Sequence, residues 1–275
     1  MNVLVVGANG FLGRHIVTRC QQQNWTVYGT YNKRHDNIPP RTKRLSMREL
    51  WLTKEQFSYI FITAAAIPYP DRPIRQKELI AVNIELPISL TKKFPYAKII
   101  FSSSVSVYGN HKNTITETSC FNNPDLYGLS KIAGECVVNA QKKFAIIRFS
   151  SLIGKGMYQG TFIPSIIADA KRTNIITLLG KGKRKQDYLH VSDAARLCML
   201  AAKHPGNGIF LGVSGSSYTN VRVAKIVQQY LPKTKIRYKD TDTSFSSVYD
   251  NTYTAETLHF RAHMSMSGAI GEMIT

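Results

Sequence analysis

The chain opens on a short apolar run, Val3-Leu-Val-Val, that passes directly into Gly7-x-x-Gly10-x-x-Gly13. A continuous apolar run that ends in a turn is the pattern of a strand buried on both faces, as in parallel sheets. Glycines at this spacing serve three ends. The first permits a tight turn, the second lets backbone approach a phosphate, and the third lets helix and strand pack closely. Beyond them, Ile16, Val17 and Cys20 fall on one face of a predicted helix. The N–H groups that open such a helix lack intrahelical partners and attract an anion. Gly7, Asn9, Gly10, Phe11, Leu12 and Gly13 are therefore read as the cradle for a dinucleotide's phosphates.

Further strands are predicted over 25–31, 59–66, 97–103 and 144–149. Helices are predicted over 78–94, despite Pro87, and over 126–140, with a polar loop at 32–44. Strands alternating with helices imply an α/β, doubly wound parallel sheet. The 59–66 strand closes on Thr63, Ala64 and Ala65, whose small side chains leave room for a ligand at the backbone. From residue 151 the pattern loosens around Gly154, Gly156, Gly160 and Pro164. Helices near 162–172, 192–203 and 219–231 then alternate with short strands. The expected organisation is a dinucleotide-binding domain at 1–150 and a smaller substrate lobe at 151–275, interleaved with the first.

Tyr127 and Lys131 lie four residues apart on the 126–140 helix, so their side chains share a face. An ammonium beside a phenol favours the phenolate, which makes Tyr127 a candidate general acid/base, its pKa drawn down by Lys131. Upstream, Ser102, Ser103 and Ser104 end a predicted strand. Ser104 is placed to hydrogen-bond the same substrate oxygen and steady it during proton transfer.

Composition narrows the setting. No apolar run approaches the roughly 20 residues that span a bilayer, and 3–6 is too short for a secretory leader, so a cytoplasmic protein with no membrane partner is expected. Cys20, Cys120, Cys136 and Cys198 are scattered without metal-ligand spacing and read as reduced, small hydrophobic residues. No metal is expected. The formal net charge of +19 creates a field for anions but does not choose among them. No aromatic-interleaved basic motif is evident, so nucleic acid is not an expected partner.

With these motifs in order, the chain resembles the extended short-chain dehydrogenase/reductase family, in its NAD-dependent epimerase/dehydratase group. The likeness runs through Phe101-Ser-Ser-Ser-Val-Ser-Val-Tyr-Gly109, Tyr127-Gly-Leu-Ser-Lys131 with Ala-Gly-Glu135, Val82-Asn83, and Gln186-Asp-Tyr-Leu-His-Val-Ser-Asp193. The resemblance implies a Rossmann-type fold and a catalytic set of Ser104, Tyr127 and Lys131. It places Asn83 and Ser102 beside the cofactor, and Ser104, Ser151, Arg184 and Gln186 beside the substrate. Gln186 stands where the family has an arginine that meets the substrate diphosphate, and Ser151 replaces a common asparagine. The run Lys181, Lys183, Arg184 and Lys185 is the expected compensation.

The second predicted strand is followed by Tyr31-Asn-Lys33-Arg34, with no carboxylate before Asp36. An acid there would bind the ribose 2′-hydroxyl of NAD, whereas cations accept the 2′-phosphate of NADP. NADP is thus the expected cofactor, with Arg14 assisting and NAD the alternative. The function expected is an epimerase or keto-reductase acting on a sugar, as a sugar nucleotide, with a homodimer compatible with this reading. The alternative is a regulatory or RNA-binding relative without catalysis.

Overall fold

The computed structural model describes residues 1–32 and 35–275. Its first half runs β1 (Asn2–Val6), α1 (Phe11–Gln22), β2 (Thr26–Tyr31), β3 (Lys43–Ser46), α2 (Met47–Leu52) and β4 (Tyr59–Ile62). There follow α3 (Gln76–Ile80), a π-helical turn (Ala81–Glu85), α4 (Leu86–Lys93), β5 (Lys98–Ser104), a 3₁₀ turn (Val105–Tyr108), α5 (Leu126–Asn139) and β6 (Phe144–Phe149). The second half runs β7 (Ser151–Ile153), α6 (Phe162–Thr173), β8 (Ile175–Leu179), β9 (Lys185–His190), α7 (Val191–Lys203) and β10 (Gly208–Gly212). It closes with β11 (Ser217–Thr219), α8 (Asn220–Tyr230), β12 (Lys235–Lys239), α9 (Thr252–Leu258) and α10 (Met266–Ile274). No helix among the described residues is long and apolar enough to cross a membrane.

Seven parallel strands form the central sheet in the order β10-β6-β5-β4-β1-β2-β3. Successive side chains of a strand point to opposite faces, and β1 divides accordingly. Val3 and Val5 pack with Ile16, Val17 and Cys20 of α1 and Leu197 of α7, while Leu4 and Val6 pack with Leu50, Leu90 and Val138. Helices thus cover both faces, which explains the unbroken apolar runs. A third core gathers Ile166, Leu178, Val223 and Ile270 from α6, β8, α8 and α10. β10 pairs with β6, so the chain returns to the central sheet after residue 150.

Strand order reverses between β1 and β4, and ligands of open α/β sheets bind outside the carboxyl ends of strands at such a switch point. The predicted strand 59–66 stops at Ile62 for this reason. The amides of Thr63 and Ala64 both turn to the Val6 carbonyl, at 3.0 and 2.9 Å, and the backbone leaves the ladder. Part of the predicted loop 32–44 is also corrected, since β3 adds an edge strand beginning at Lys43.

The predicted helix 78–94 is interrupted. Proline brings no N–H to the bond that the residue four back would accept. Pro87 therefore leaves the Asn83 carbonyl without its α-helical donor, and the backbone widens into the π turn. That carbonyl packs against Gly134 of α5, where a Cβ would come within 2.6 Å of it and 2.7 Å of Phe101. The Asn83 side chain accepts from the Ala66 amide at 2.9 Å and donates to the Ala66 carbonyl at 3.0 Å and to Ser130 Oγ at 2.9 Å. One buried amide group thereby ties the end of β4 to α5. Asn83→Ala would leave the Ala66 amide and carbonyl without their partner and cost Ser130 Oγ one of its two bonds; we expect melting to fall by roughly 4–10 °C, with faster amide exchange at Ala66. A melting temperature unchanged in calorimetry would show that the clamp is dispensable.

Candidate active site

The β1–α1 turn is built by close backbone contact. Gly7 has φ +89°, a conformation that L side chains rarely adopt, and its amide donates to Thr30 Oγ1 at 3.1 Å. A Cβ on Gly13 would come within 2.1 Å of the Gly7 carbonyl oxygen, so α1 starts against the turn. Gly10 caps α1 without a side-chain bond, and no acid occupies the first helical turn. This is a cradle that side chains would fill, with the positive end of a helix directed into it. Thr63 closes the far side, its hydroxyl donating to the carbonyl of Val6 at 2.9 Å, and Ala64 and Ala65 follow it.

Ser104 and Tyr127 meet where β5 ends and α5 begins. Asp125 caps α5, accepting from the Gly128 amide at 2.7 Å, and so sets Tyr127 in the first turn. Ser104 Oγ donates to Ser106 Oγ at 3.0 Å and accepts from the Ser106 amide at 3.1 Å. Burial pushes the Tyr127 phenol above its usual range, more than nearby Ser104 draws it down, and Tyr69 and Asp125 add to the rise. The expected lowering by Lys131 is corrected here: Lys131 is not among the groups acting on Tyr127. Its amine lies over the Phe101 ring, 4.3 Å from the centroid, and burial lowers its own pKa to about 7 against the pull of Glu135.

Lys131 Nζ and Ser102 Oγ are buried with no hydrogen-bond partner among the described residues. Such orphans are costly unless a ligand completes them. Together with the glycine cradle they fit a dinucleotide laid from the α1 terminus towards β5. Asn83, expected beside the cofactor, has its side-chain amide engaged by Ala66 and Ser130. Arg14 turns to the Lys155 carbonyl at 2.9 Å, not to the end of β2. Lys33 and Arg34 lie outside the described residues.

A cleft of about 610 Å³ runs beside this site, bordered by Ser106, Asp125, Ser151, Arg184, Gln186 and Tyr249. Ser151 is exposed to it from β7. Gln186 is oriented by bonds to Tyr188 OH at 2.9 Å and Asn220 Oδ1 at 3.3 Å. The basic run divides. Arg184 borders this cleft, whereas Lys181 and Lys183 line a second cavity of about 740 Å³ that Arg184 also reaches. The Lys185 backbone pairs with Ser246 and Ser247.

Sequence reasoning missed the support beneath the site. Arg148 sits in β6, 5% exposed at its side chain, and pairs with Glu135 at 2.7 Å. Glu135 also accepts from Ser103 Oγ at 2.5 Å, and Arg148 donates to Tyr108 OH at 2.9 Å. A lone cation inside the apolar strand Phe144-Ala-Ile-Ile-Arg-Phe149 was the available signal for a buried partner. Of the cysteines, Cys20 and Cys198 are buried, with burial pushing the Cys20 thiol up to about 12, whereas Cys120 and Cys136 are exposed.

The seven-stranded parallel sheet with its glycine cradle defines a dinucleotide-binding α/β protein. The chain belongs to the NAD dependent epimerase/dehydratase family, whose model matches residues 3–211. It is 23% identical over 248 residues to a putative UDP-glucose 4-epimerase of Methanocaldococcus jannaschii, 79% of each chain. Among solved structures it is similar to the UDP-glucose 4-epimerase of Thermotoga maritima with UDP-glucose, with TM-score 0.88, 20% identity, and coverage of 100% and 97% of the two chains. It is likewise similar to the UDP-glucuronic acid 4-epimerase of Bacillus cereus in complex with NAD, with TM-score 0.83, 18% identity and coverage of 99% and 97%.

The depressed Lys131 pKa carries a stability consequence with a definite sign. Below about pH 7 both folded and unfolded chains hold the proton, and the folded state bears the full cost of a buried ammonium. Between there and about pH 10.5 only the unfolded chain holds it, so this residue's contribution rises with pH. Lys131→Met should therefore melt at least about 2 °C above the wild type at pH 6 without dinucleotide, the gap closing by pH 10. A gap independent of pH would place the amine in water.

Proposed function

We propose that this protein is a nicotinamide-dependent sugar-nucleotide enzyme, an epimerase or keto-reductase, in which Ser104, Tyr127 and Lys131 form the acid/base set. The observation that carries this reading is the pair of buried polar groups, Lys131 Nζ and Ser102 Oγ, that have no hydrogen-bond partner among the described residues and belong to the same α5 and β5 that carry Tyr127 and Ser104. Gly7, Asn9, Gly10, Phe11, Leu12 and Gly13 would hold the pyrophosphate, and Thr63, Ala64, Ala65 and Ser102 would border the rest of the dinucleotide. Lys131 would meet the nicotinamide ribose. When bound, the nicotinamide supplies a carbon that accepts or returns hydride.

A phenol held protonated at neutral pH suits the role of acid. Tyr127 hands its proton to a substrate carbonyl oxygen, which Ser104 holds in place, and takes a hydroxyl proton back in the reverse direction. Ketone reduction uses the phenol in the form it holds at neutral pH, and epimerisation requires both halves on one substrate. The sugar nucleotide would enter from the lobe at 151–275, with Arg184 taking the anion-binding role that Gln186 leaves open. A UDP-sugar is the substrate class supported by the relatives named above.

NADP is proposed as the preferred cofactor on the absence of a carboxylate between Tyr31 and Asp36. The B. cereus neighbour's NAD supports the alternative. With Arg14 engaged at Lys155, the preference rests on Lys33 and Arg34 alone.

Tyr127→Phe removes one hydroxyl and almost no binding surface. Turnover of UDP-glucose or a 4-keto sugar nucleotide should fall at least about 100-fold with either cofactor, while dinucleotide affinity stays within about twofold. Activity retained within about tenfold would remove Tyr127 from the acid/base role.

A further inference from the structure

One buried cation holds both ends of the turn that carries Ser104. Ahead of Ser104, the Ser103 hydroxyl donates to Glu135, and Glu135 in turn accepts from Arg148 Nη2 at 2.7 Å and Nε at 3.0 Å. Behind it, the 3₁₀ turn ends on Tyr108, whose hydroxyl accepts from Arg148 Nη1 at 2.9 Å and whose ring centroid lies 4.9 Å from the guanidinium. The same Nη1 reaches the Glu117 carbonyl at 3.0 Å. Ser103 and Arg148 are direct neighbours in the β5–β6 ladder, and all four side chains are buried. A planar guanidinium can bind a carboxylate through two N–H groups and still donate elsewhere, which an ammonium cannot reproduce.

The opposite side of this turn faces the site. Val105, Ser106 and Gly109 border the cleft that Arg184 and Gln186 share, while Val107 and Tyr108 lie buried beneath them. Ser104 caps the turn by accepting from the Ser106 amide. The Ser106 carbonyl packs on the first turn of α5, where a Cβ on Gly128, the residue after Tyr127, would come within 2.4 Å of it. The turn is therefore seated between the helix that carries Tyr127 and the cation below, and its height sets where the Ser104 hydroxyl stands.

We propose that Tyr108 and Arg148 are positioning residues for Ser104, holding its turn at the height from which the hydroxyl meets the substrate oxygen. They act through the turn and touch neither substrate nor dinucleotide. The inference rests on the reading above, in which Ser104 works with Tyr127 on a sugar nucleotide, and adds two residues beneath that set.

A double-mutant cycle tests it, with turnover of UDP-glucose and of a 4-keto sugar nucleotide measured for the wild type, Tyr108→Phe, Ser104→Ala and the double variant. Tyr108→Phe keeps the ring and removes one buried hydroxyl; kcat should fall about tenfold while KM and dinucleotide affinity hold within about twofold. On the Ser104→Ala background the same change should cost less than about twofold, because no hydroxyl is left to place. Arg148→Lys should repeat this dependence on Ser104 with a larger loss, and Tyr108→Phe decides alone if that variant does not fold. Equal losses on the two backgrounds, or no loss in Tyr108→Phe, would confine the pair to stability and overturn the proposal while leaving the sugar-nucleotide reading standing. A wild type that turns over neither substrate would overturn that reading, and the proposal with it.

Discussion

A methyl group on residue 13 would sit 2.1 Å from the carbonyl oxygen of Gly7, and one on residue 7 would sit 2.8 Å from the amide of Ala64. Three backbone segments, the ends of β1 and β4 and the start of α1, meet there with only the Thr63 hydroxyl among them, bonded to the Val6 and Gly7 carbonyls. Their meeting determines where the positive end of α1 points and where β4 leaves the sheet. It also fixes how far α1 stands from the strands it covers. A dinucleotide site at a strand-order reversal needs this much backbone in one place, because the groups that face pyrophosphate are N–H groups and not side chains.

On the neighbouring strands the protein keeps ionisable groups where water does not reach. Lys131 is 1% exposed over Phe101, and Glu135 and Arg148 are paired beneath it. Removing one partner of a buried pair is far more damaging than never having had the pair. Glu135 and Arg148 are therefore expected to matter as a unit that fixes the α5–β5–β6 contact. Lys131 differs from them in having no hydrogen-bond partner among the described residues. An unpaired buried amine lowers stability in isolation and is retained where a ligand completes it.

Much of this arrangement was legible in the sequence, and the reasons differ by element. β1 and β6 were readable because strands buried on both faces carry unbroken apolar runs, and α5 because its Tyr127/Lys131 pair keeps helical spacing. The family resemblance located Ser104 before the Val-Tyr-Gly turn. The interruption of α3 and α4 was not foreseen, although Pro87 signalled it, since proline inside an apolar helical pattern reads as tolerable until its missing donor is traced to Asn83. β3 was hidden by the polar and cationic residues of an edge strand, Lys43 and Arg44. The Arg148–Tyr108 bond joins positions 40 apart in sequence, and no local periodicity records such a pairing. The direction of the Tyr127 shift was misread because spacing on a helix places two residues on one face but does not say that their charged ends meet.

The central claim is that the glycine turn holds a dinucleotide against the Tyr127 helix. Calorimetric titration of NAD and NADP into the wild type and Gly13→Ala tests it most directly, with circular dichroism confirming that the variant keeps its helices. The account predicts measurable binding by the wild type and at least about tenfold weaker binding by Gly13→Ala. Equal affinity in the two proteins, or a wild type that binds neither dinucleotide, would contradict it.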